Sequence, residues 1–360
     1  MIQRKNSRVK PVAPEVAPEE TPLFFAVALA PFFENLPSRS RDIVMARFGM
    51  HGSPAKTLEE IGHIYHITRE RVRQVIVSVL KLLAQKNSQP MFMQVASRIQ
   101  SILEQNSGIM PAEEFLRQLA PSVNKERGAL LMLLECLPIV IEEKATLERE
   151  KSYRLQNVSL VEWQKIKDAA KSILLKENGV SHPDVLFDRF SEKNSTVSRQ
   201  QFFDFLAVAK DVRQNVFGQW GLIEWSDIRP RGTREKAYLV LKMAGKPLHF
   251  REITTLIDTY GLQRSAKRRS HPQTVHNELI KDKRFILVGR GIYALSEWGY
   301  KRGTVKEVLT EILQKASSPL SREAVLTEVL KVRQVKKSTV IINLNTFFQR
   351  VSKNAYGIRK

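Results

Sequence analysis

Arg69, Glu70, Arg71, Arg73 and Gln74 gather guanidinium, carboxylate and carboxamide groups within six consecutive residues. Arg and Gln are side chains that bond base edges bidentately, and a short helix that exposes them at its start fits a DNA major groove. A second polar and cationic set lies far downstream: Arg268, Arg269, His271, Thr274, His276, Asn277, Lys281 and Arg290. A third comprises Lys336, Lys337, Thr339 and Asn343. Asn pairs with adenine edges, whereas Lys and Thr mostly hold phosphates. Arg290, between Gly289 and Gly291, can enter a minor groove or meet a phosphate. The competing reading of each set is an ordinary solvated helix face.

Positioning the first set requires two short helices and a tight turn, and residues 57–75 supply them. Leu58, Ile61, Tyr65, Ile67, Val72 and Val75 recur where a helix-turn-helix needs its small core. Gly62 lets the second helix approach the first. Thr68 is an N-cap, opening a helix whose outer face carries Arg69, Glu70, Arg73, Gln74 and Val77. Upstream, L-P-S-R-S-R-D-I-V-M-A-R-F-G (residues 36–49) has a helix start and a Gly stop. With T-L-E-E-I-G and I-T-R-E-R-V-R-Q-V, it resembles region 4 of the bacterial sigma-70 family over about residues 36–86. The resemblance implies recognition of the −35 promoter element and a grip on the flap of RNA polymerase. It also implies that Arg69, Glu70, Arg73 and Gln74 read bases or backbone. Two positions depart from the pattern. His66 stands where Gly is usual and is expected at positive φ. The run Val75-Ile76-Val77-Ser78-Val79 is apolar where charged residues are usual, and is expected to pack on a neighbouring domain or partner.

The length of 360 residues allows two to four domains. Fifty-eight basic against 37 acidic residues leave a net charge of +21, which favours a polyanionic partner. The lone cysteine, Cys136, lies in the apolar run 130–140 and reads as a buried structural thiol in a reducing cytosol. The apolar stretch F-F-A-V-A-L-A-P-F-F, residues 24–33, is too short to cross a bilayer. Glu19-Glu20 and Pro31 speak against a signal peptide, so a helix packed on the helix-turn-helix core is expected. Residues 1–22 are Pro-rich and polar and read as disordered.

The remainder repeats a unit of three helices followed by a hairpin, the order of a winged helix. Residues 233–300 are the clearest copy, with an interior of Val275, Leu279 and Ile280 that leaves Thr274, His276, Asn277 and Lys281 outward. Residues 303–360 repeat it, and 98–156 and 160–228 do so in outline. Trp220, Trp225, Tyr293 and Trp298 read as core plugs under the hairpins. At P-L-H-F-R-E-I, P-Q-T-V-H-N-E-L-I-K-D-K-R-F and V-G-R-G-I-Y-A-L-S-E-W-G-Y, residues 247–300 resemble a HARE-type winged helix, a family similar to the delta subunit of bacterial RNA polymerase. That likeness implies binding to DNA or to a transcription complex. The expected fold is mainly α with small β wings: residues 23–90 as a helix-turn-helix domain, followed by tandem winged-helix domains.

Charge separates these modules. Residues 36–90 carry nine basic and four acidic residues, 264–290 eight and two, and 331–360 eight and none. Residues 101–155 carry seven and nine, and 160–228 nine and ten. Clustered cations neutralise phosphates, so the ends are the DNA-binding candidates and the middle reads as spacer or protein-contact surface. No C-x-x-C, H-E-x-x-H, Walker or G-x-S-x-G motif occurs, and no enzyme, metal or cofactor is expected. The reading is a cytoplasmic bacterial transcription factor of the nucleoid, bound to promoter-like double-stranded DNA and to RNA polymerase core. With about 35 residues ahead of the helix-turn-helix, it is not expected to open promoters alone. The rival is a polymerase-associated protein that holds the flap and binds other proteins rather than specific DNA.

Overall fold

The structure, a computed structural model, describes residues 23–121, 124–263, 269–300, 302–316, 318–333 and 335–358, without the side chain of Asn124. The expectation of disorder in residues 1–22 falls outside them. The chain forms two compact units, residues 1–146 with 150–159, and residues 147–149 with 160–360.

The first unit begins with α1 (Phe24–Glu34), α2 (Ser38–Phe48), α3 (Leu58–Tyr65) and α4 (Arg69–Ala84). Local chemistry sets the α3–α4 turn. Thr57 and Glu60 form a capping box, with the Thr57 N–H donating to Glu60 Oε2 at 2.7 Å and the Glu60 N–H to Thr57 Oγ1 at 3.2 Å. These Thr57 bonds hold the Glu60 carboxyl below the usual carboxylate range. His66 closes the turn at φ 51° and ψ 48°, the left-handed conformation expected of it. Thr68 then caps α4 by accepting from the Arg71 N–H at 3.2 Å. A Cβ on Gly62 would lie 2.7 Å from the Ile67 carbonyl oxygen, so only glycine admits this approach.

The unit continues with α5 (Pro90–Gln105), β1 (Ile109–Pro111), α6 (Ala112–Leu119), α7 (Asn124–Leu134), β2 (Val140–Glu143) and β3 (Ser152–Leu155), the strands ordered β1-β3-β2. The sequence separates this module from the helix-turn-helix, yet both share one core running from Phe25 through Ile76 and Val79 to Leu133 and Tyr153. Two residues of α7 make the junction. The buried Glu126 accepts the N–H of Phe25 at 2.6 Å and of Ala26 at 2.9 Å. It thereby caps α1, whose own N-cap, Leu23, has no side-chain acceptor. Gly128 lies so close to the end of α2 that a Cβ would be 2.2 Å from the Phe48 carbonyl oxygen. The Cys136 thiol donates to the Leu80 carbonyl of α4 at 3.5 Å, and burial pushes its pKa up to about 12.

The second unit contains three more copies of the module. The first has α8 (Leu160–Glu177), α9 (Pro183–Ser191), α10 (Arg199–Val208), β4 (Val212–Gln214) and β5 (Trp220–Leu222). The next has α11 (Thr233–Ala244), β6 (Leu248–His249), α12 (Phe250–Thr259), α13 (Pro272–Lys281), β7 (Phe285–Gly289) and β8 (Ile292–Leu295). The last has α14 (Val305–Lys315), β9 (Leu320–Ser321), α15 (Arg322–Val332), α16 (Lys337–Phe347), β10 (Gln349–Ser352) and β11 (Ala355–Gly357).

Strand register demonstrates the repeat better than side-chain identity does. In each copy the segment after the first helix pairs antiparallel with the last strand, and one buried aromatic of that strand sits in the pairing. The pairs are Tyr153 with Met110, Trp220 with Ser181, Tyr293 with Leu248, and Tyr356 with Leu320. Trp220 and Tyr293 are therefore core plugs, as expected. The predicted interior of α13 needs one correction. Val275 and Leu279 are buried, but Ile280 is 63% exposed. Five residues after Val275, it points roughly 140° away around a helix of 3.6 residues per turn.

Candidate nucleic-acid interface

Arg69, Glu70, Arg71, Arg73 and Gln74 are all exposed along the first turns of α4. Glu70, Arg71, Arg73 and Gln74 form one linked group. The Arg73 guanidinium donates twice to Glu70, from Nε at 2.9 Å and Nη2 at 2.8 Å. Gln74 Nε2 lies 3.5 Å from Glu70 Oε1, and Arg71 Nη1 donates to Gln74 Oε1 at 3.3 Å. The Arg73 bonds hold the Glu70 carboxyl below its usual range, and Glu70 in turn raises the Arg73 pKa. A surface pair of this kind contributes little stability; its consequence is to hold side chains extended along the helix. Further along, Ile76 and Val79 turn into the shared core while Val77 stays 36% exposed. The apolar run 75–79 thus packs largely within its own unit, leaving the first two turns of α4 as the open face.

In the third module Arg269, His271, Thr274, Asn277, Lys281 and Arg290 are exposed; Arg268 lies outside the described residues. His276 is not outward as expected. It is half-buried, stacked on Phe250 with ring centroids 4.5 Å apart and edge-on to Tyr293 at 5.8 Å, because Phe250, the first residue of α12 directly after β6, lies against it. Several of the exposed groups are already engaged. His271 Nδ1 accepts from the Gln273 N–H at 3.3 Å, capping α13. Asn277 Oδ1 accepts from Gln273 Nε2 at 3.1 Å, and Lys281 lies 3.6 Å from Glu278. In the fourth module Lys336, Lys337 and Thr339 are exposed, but Asn343 is half-buried and donates to the Thr339 carbonyl at 2.8 Å.

The candidate residues fall into three groups, on α4, on the third module and on the fourth. Lys353, at the β10–β11 turn, is an exposed cation that the reading of helix faces alone passes over; the acid-free run 331–360 is the signal that marks it. Among the described residues, no cluster of three His, Cys, Asp or Glu side chains is placed to hold a metal ion. None of the described helices is long and apolar enough to cross a membrane.

Two capped helices, a left-handed turn residue, a glycine contact between them and an open second helix define a helix-turn-helix. Residues 32–85 match the family described as Sigma-70, region 4. Over 54 residues the chain is 43% identical to the RNA polymerase sigma factor SigA of Nostoc sp., a span of 15% of this chain and 14% of that protein. Identity of 43% over 54 residues extends to SigA of Synechocystis sp., covering 15% of this chain and 13% of that protein, and of 44% over 49 residues to the sigma factor RpoS of Coxiella burnetii, covering 14% of each. The chain thus spans about a seventh of the length of the curated relatives it matches. The family match ends at residue 85, one position past α4, so the four modules lie beyond it.

Proposed function

We propose that this chain is a DNA-binding transcription protein whose α4 docks in the major groove of promoter-like duplex DNA while the same domain contacts RNA polymerase. The observation that carries the reading is the open start of α4, with Arg69, Arg71, Arg73 and Gln74 exposed on a helix-turn-helix similar to sigma-70 region 4. Arg and Gln in this position bond guanine and adenine edges bidentately. Glu70, holding Arg73 extended, lowers the cost of ordering it on a base. The downstream modules are winged helices, with 247–300 of HARE type, and the protein works in the bacterial cytoplasm at the nucleoid without catalysing a reaction.

The rival, a polymerase-associated protein that binds no specific DNA, drew support from the apolar run 75–79. That run lies largely in the protein's own core, so the rival rests on the near-neutral charge of residues 101–228 alone.

Gel shifts on a promoter fragment carrying a −35 element and on random duplex separate the two. Arg73→Ala is expected to cost about 1–3 kcal/mol on the preferred fragment and much less on random sequence. Equal binding of both fragments by the native protein, with tight polymerase capture, would overturn the DNA reading.

A further inference from the structure

The four modules share a scaffold but not the surroundings of the third helix. α7 is covered by α1 and α2, through the Glu126 cap and the Gly128 contact. The second module pairs several of its cations with carboxylates. Arg199 at the start of α10 pairs with Asp184 at 2.5 Å. The buried Lys167 is held by Glu148 at 2.6 Å and Asp168 at 3.0 Å, and Lys171 by Asp211 at 2.9 Å. In the third module Glu278 accepts from Arg234 at 2.6 Å and also pairs with Lys281.

The fourth module differs. Residues 331–360 hold eight Lys and Arg and no Asp or Glu. Lys331 pairs with Glu328 at 2.6 Å. Arg333 is buried and donates to the Leu287 carbonyl at 2.8 Å. Arg350 turns back onto the carbonyls of Ser352 and Lys353 in its own hairpin. Arg359 and Lys360 lie outside the described residues. Lys336 and Lys337 at the start of α16, and Lys353 at the hairpin turn, are exposed and meet no carboxylate among the described residues.

On α16 both carboxamides and the Thr346 hydroxyl are engaged elsewhere. Asn343 donates its amide to the Thr339 carbonyl and Thr346 its hydroxyl to the Ile342 carbonyl, each at 2.8 Å. Asn345 Oδ1 accepts the Tyr356 hydroxyl at 2.8 Å. The three lysines are point charges on flexible stems, suited to phosphates and indifferent to sequence.

We propose that the fourth module is a second duplex-DNA contact, gripping the phosphate backbone without reading sequence through Lys336, Lys337 and Lys353. It is independent of base reading by α4, and tethers the protein to any duplex.

The test measures binding of the full-length chain to random-sequence duplex by fluorescence anisotropy across about 50–200 mM salt. Lys336, Lys337 and Lys353 are changed together to Ala, and together to Arg. Each phosphate contact contributes about 0.9 to the slope of log affinity against log salt, so the Ala variant is expected to flatten it by about 2.7. The Arg variant is expected to retain the native slope. A slope within about 1 of native for the Ala variant overturns the proposal. So does an Arg variant as weak as the Ala variant, and so does loss of acidic-polypeptide binding with duplex binding unchanged. Arg73→Ala, measured both on random duplex and on a fragment carrying a −35 element, keeps the two readings apart. If it alters no sequence preference while the Lys variant flattens the slope, base reading by α4 fails and the tether stands.

Discussion

α7 and α16 are the third helices of two copies of one module, and the chain uses them in opposite ways. The second half of α7 is apolar nearly all round: Ala129, Leu130, Met132, Leu133 and Leu134 are buried, and Glu126 and Gly128 are fitted to the helix-turn-helix. α16 buries only Val340 and Leu344 fully and keeps Lys337 and Thr339 in solvent, with Ile342 63% exposed. The scaffold alone therefore does not decide whether a module's third helix is covered or open; the side chains left outside its core decide it. The first module serves as a buttress that sets α1 and α2, and through them the frame that holds α4.

The sharpest way to break this contrast is to wedge α7 off its partner. Gly128→Val places carbon atoms where a Cβ would already lie 2.2 Å from the Phe48 carbonyl oxygen. A backbone oxygen cannot swing aside, so the first unit is expected to lose about 3 kcal/mol. Cys136 reports the event directly. Its thiol rests on α4 and is pushed up to about 12 by burial. The native protein should therefore resist thiol reagents at neutral pH, and the variant should be labelled much faster. The pH sense follows from the same shift. Stability tied to the protonated thiol is fully present below the unfolded value near 9.0 and is lost as pH rises toward about 12. Native-like labelling in the variant would mean that α7 is not a buttress.

A smaller effect is expected at the α1 cap. Glu126→Gln keeps one acceptor oxygen where the carboxylate used two, one for Phe25 and one for Ala26. One amide loses its partner and the charge at the helix N-terminus disappears, for about 1–2 kcal/mol measured by urea unfolding. A change indistinguishable from zero would show that α1 is held by its apolar face alone, through Phe25 and Leu29.

The sequence revealed α4 and α7 unequally, and the reason is range. The turn at Gly62, His66 and Thr68 and the open face of α4 are local: each depends on residues within a few positions, so spacing suffices. The Glu126 cap spans 101 residues to Phe25, and the Gly128 contact joins α7 to α2; no local pattern encodes either. One signal was present nonetheless. A helix apolar all round must be covered on both sides, and the run Leu130 to Leu134 says so. Ile280 and His276 were misplaced for smaller reasons, a position of 140° around the helix and the stacking on Phe250.

The least disruptive change tests the other side of the contrast. Thr339→Val is nearly isosteric, and on α16 its side chain meets solvent, with the residue exposed and its neighbour Lys337 likewise. Thr and Val have similar helix propensities, so no backbone penalty enters. Nothing needs repacking, and stability by urea unfolding should move by less than about 0.5 kcal/mol. The hydroxyl is at most one weak phosphate contact beside three lysines, so the salt slope on random duplex should shift by less than about 1. A loss above about 1 kcal/mol would place Thr339 under another part of the molecule, and α16 would then be covered as α7 is. Because α7 tolerates so little at Gly128, the ratio of these two substitutions measures how far one scaffold has been turned to two uses.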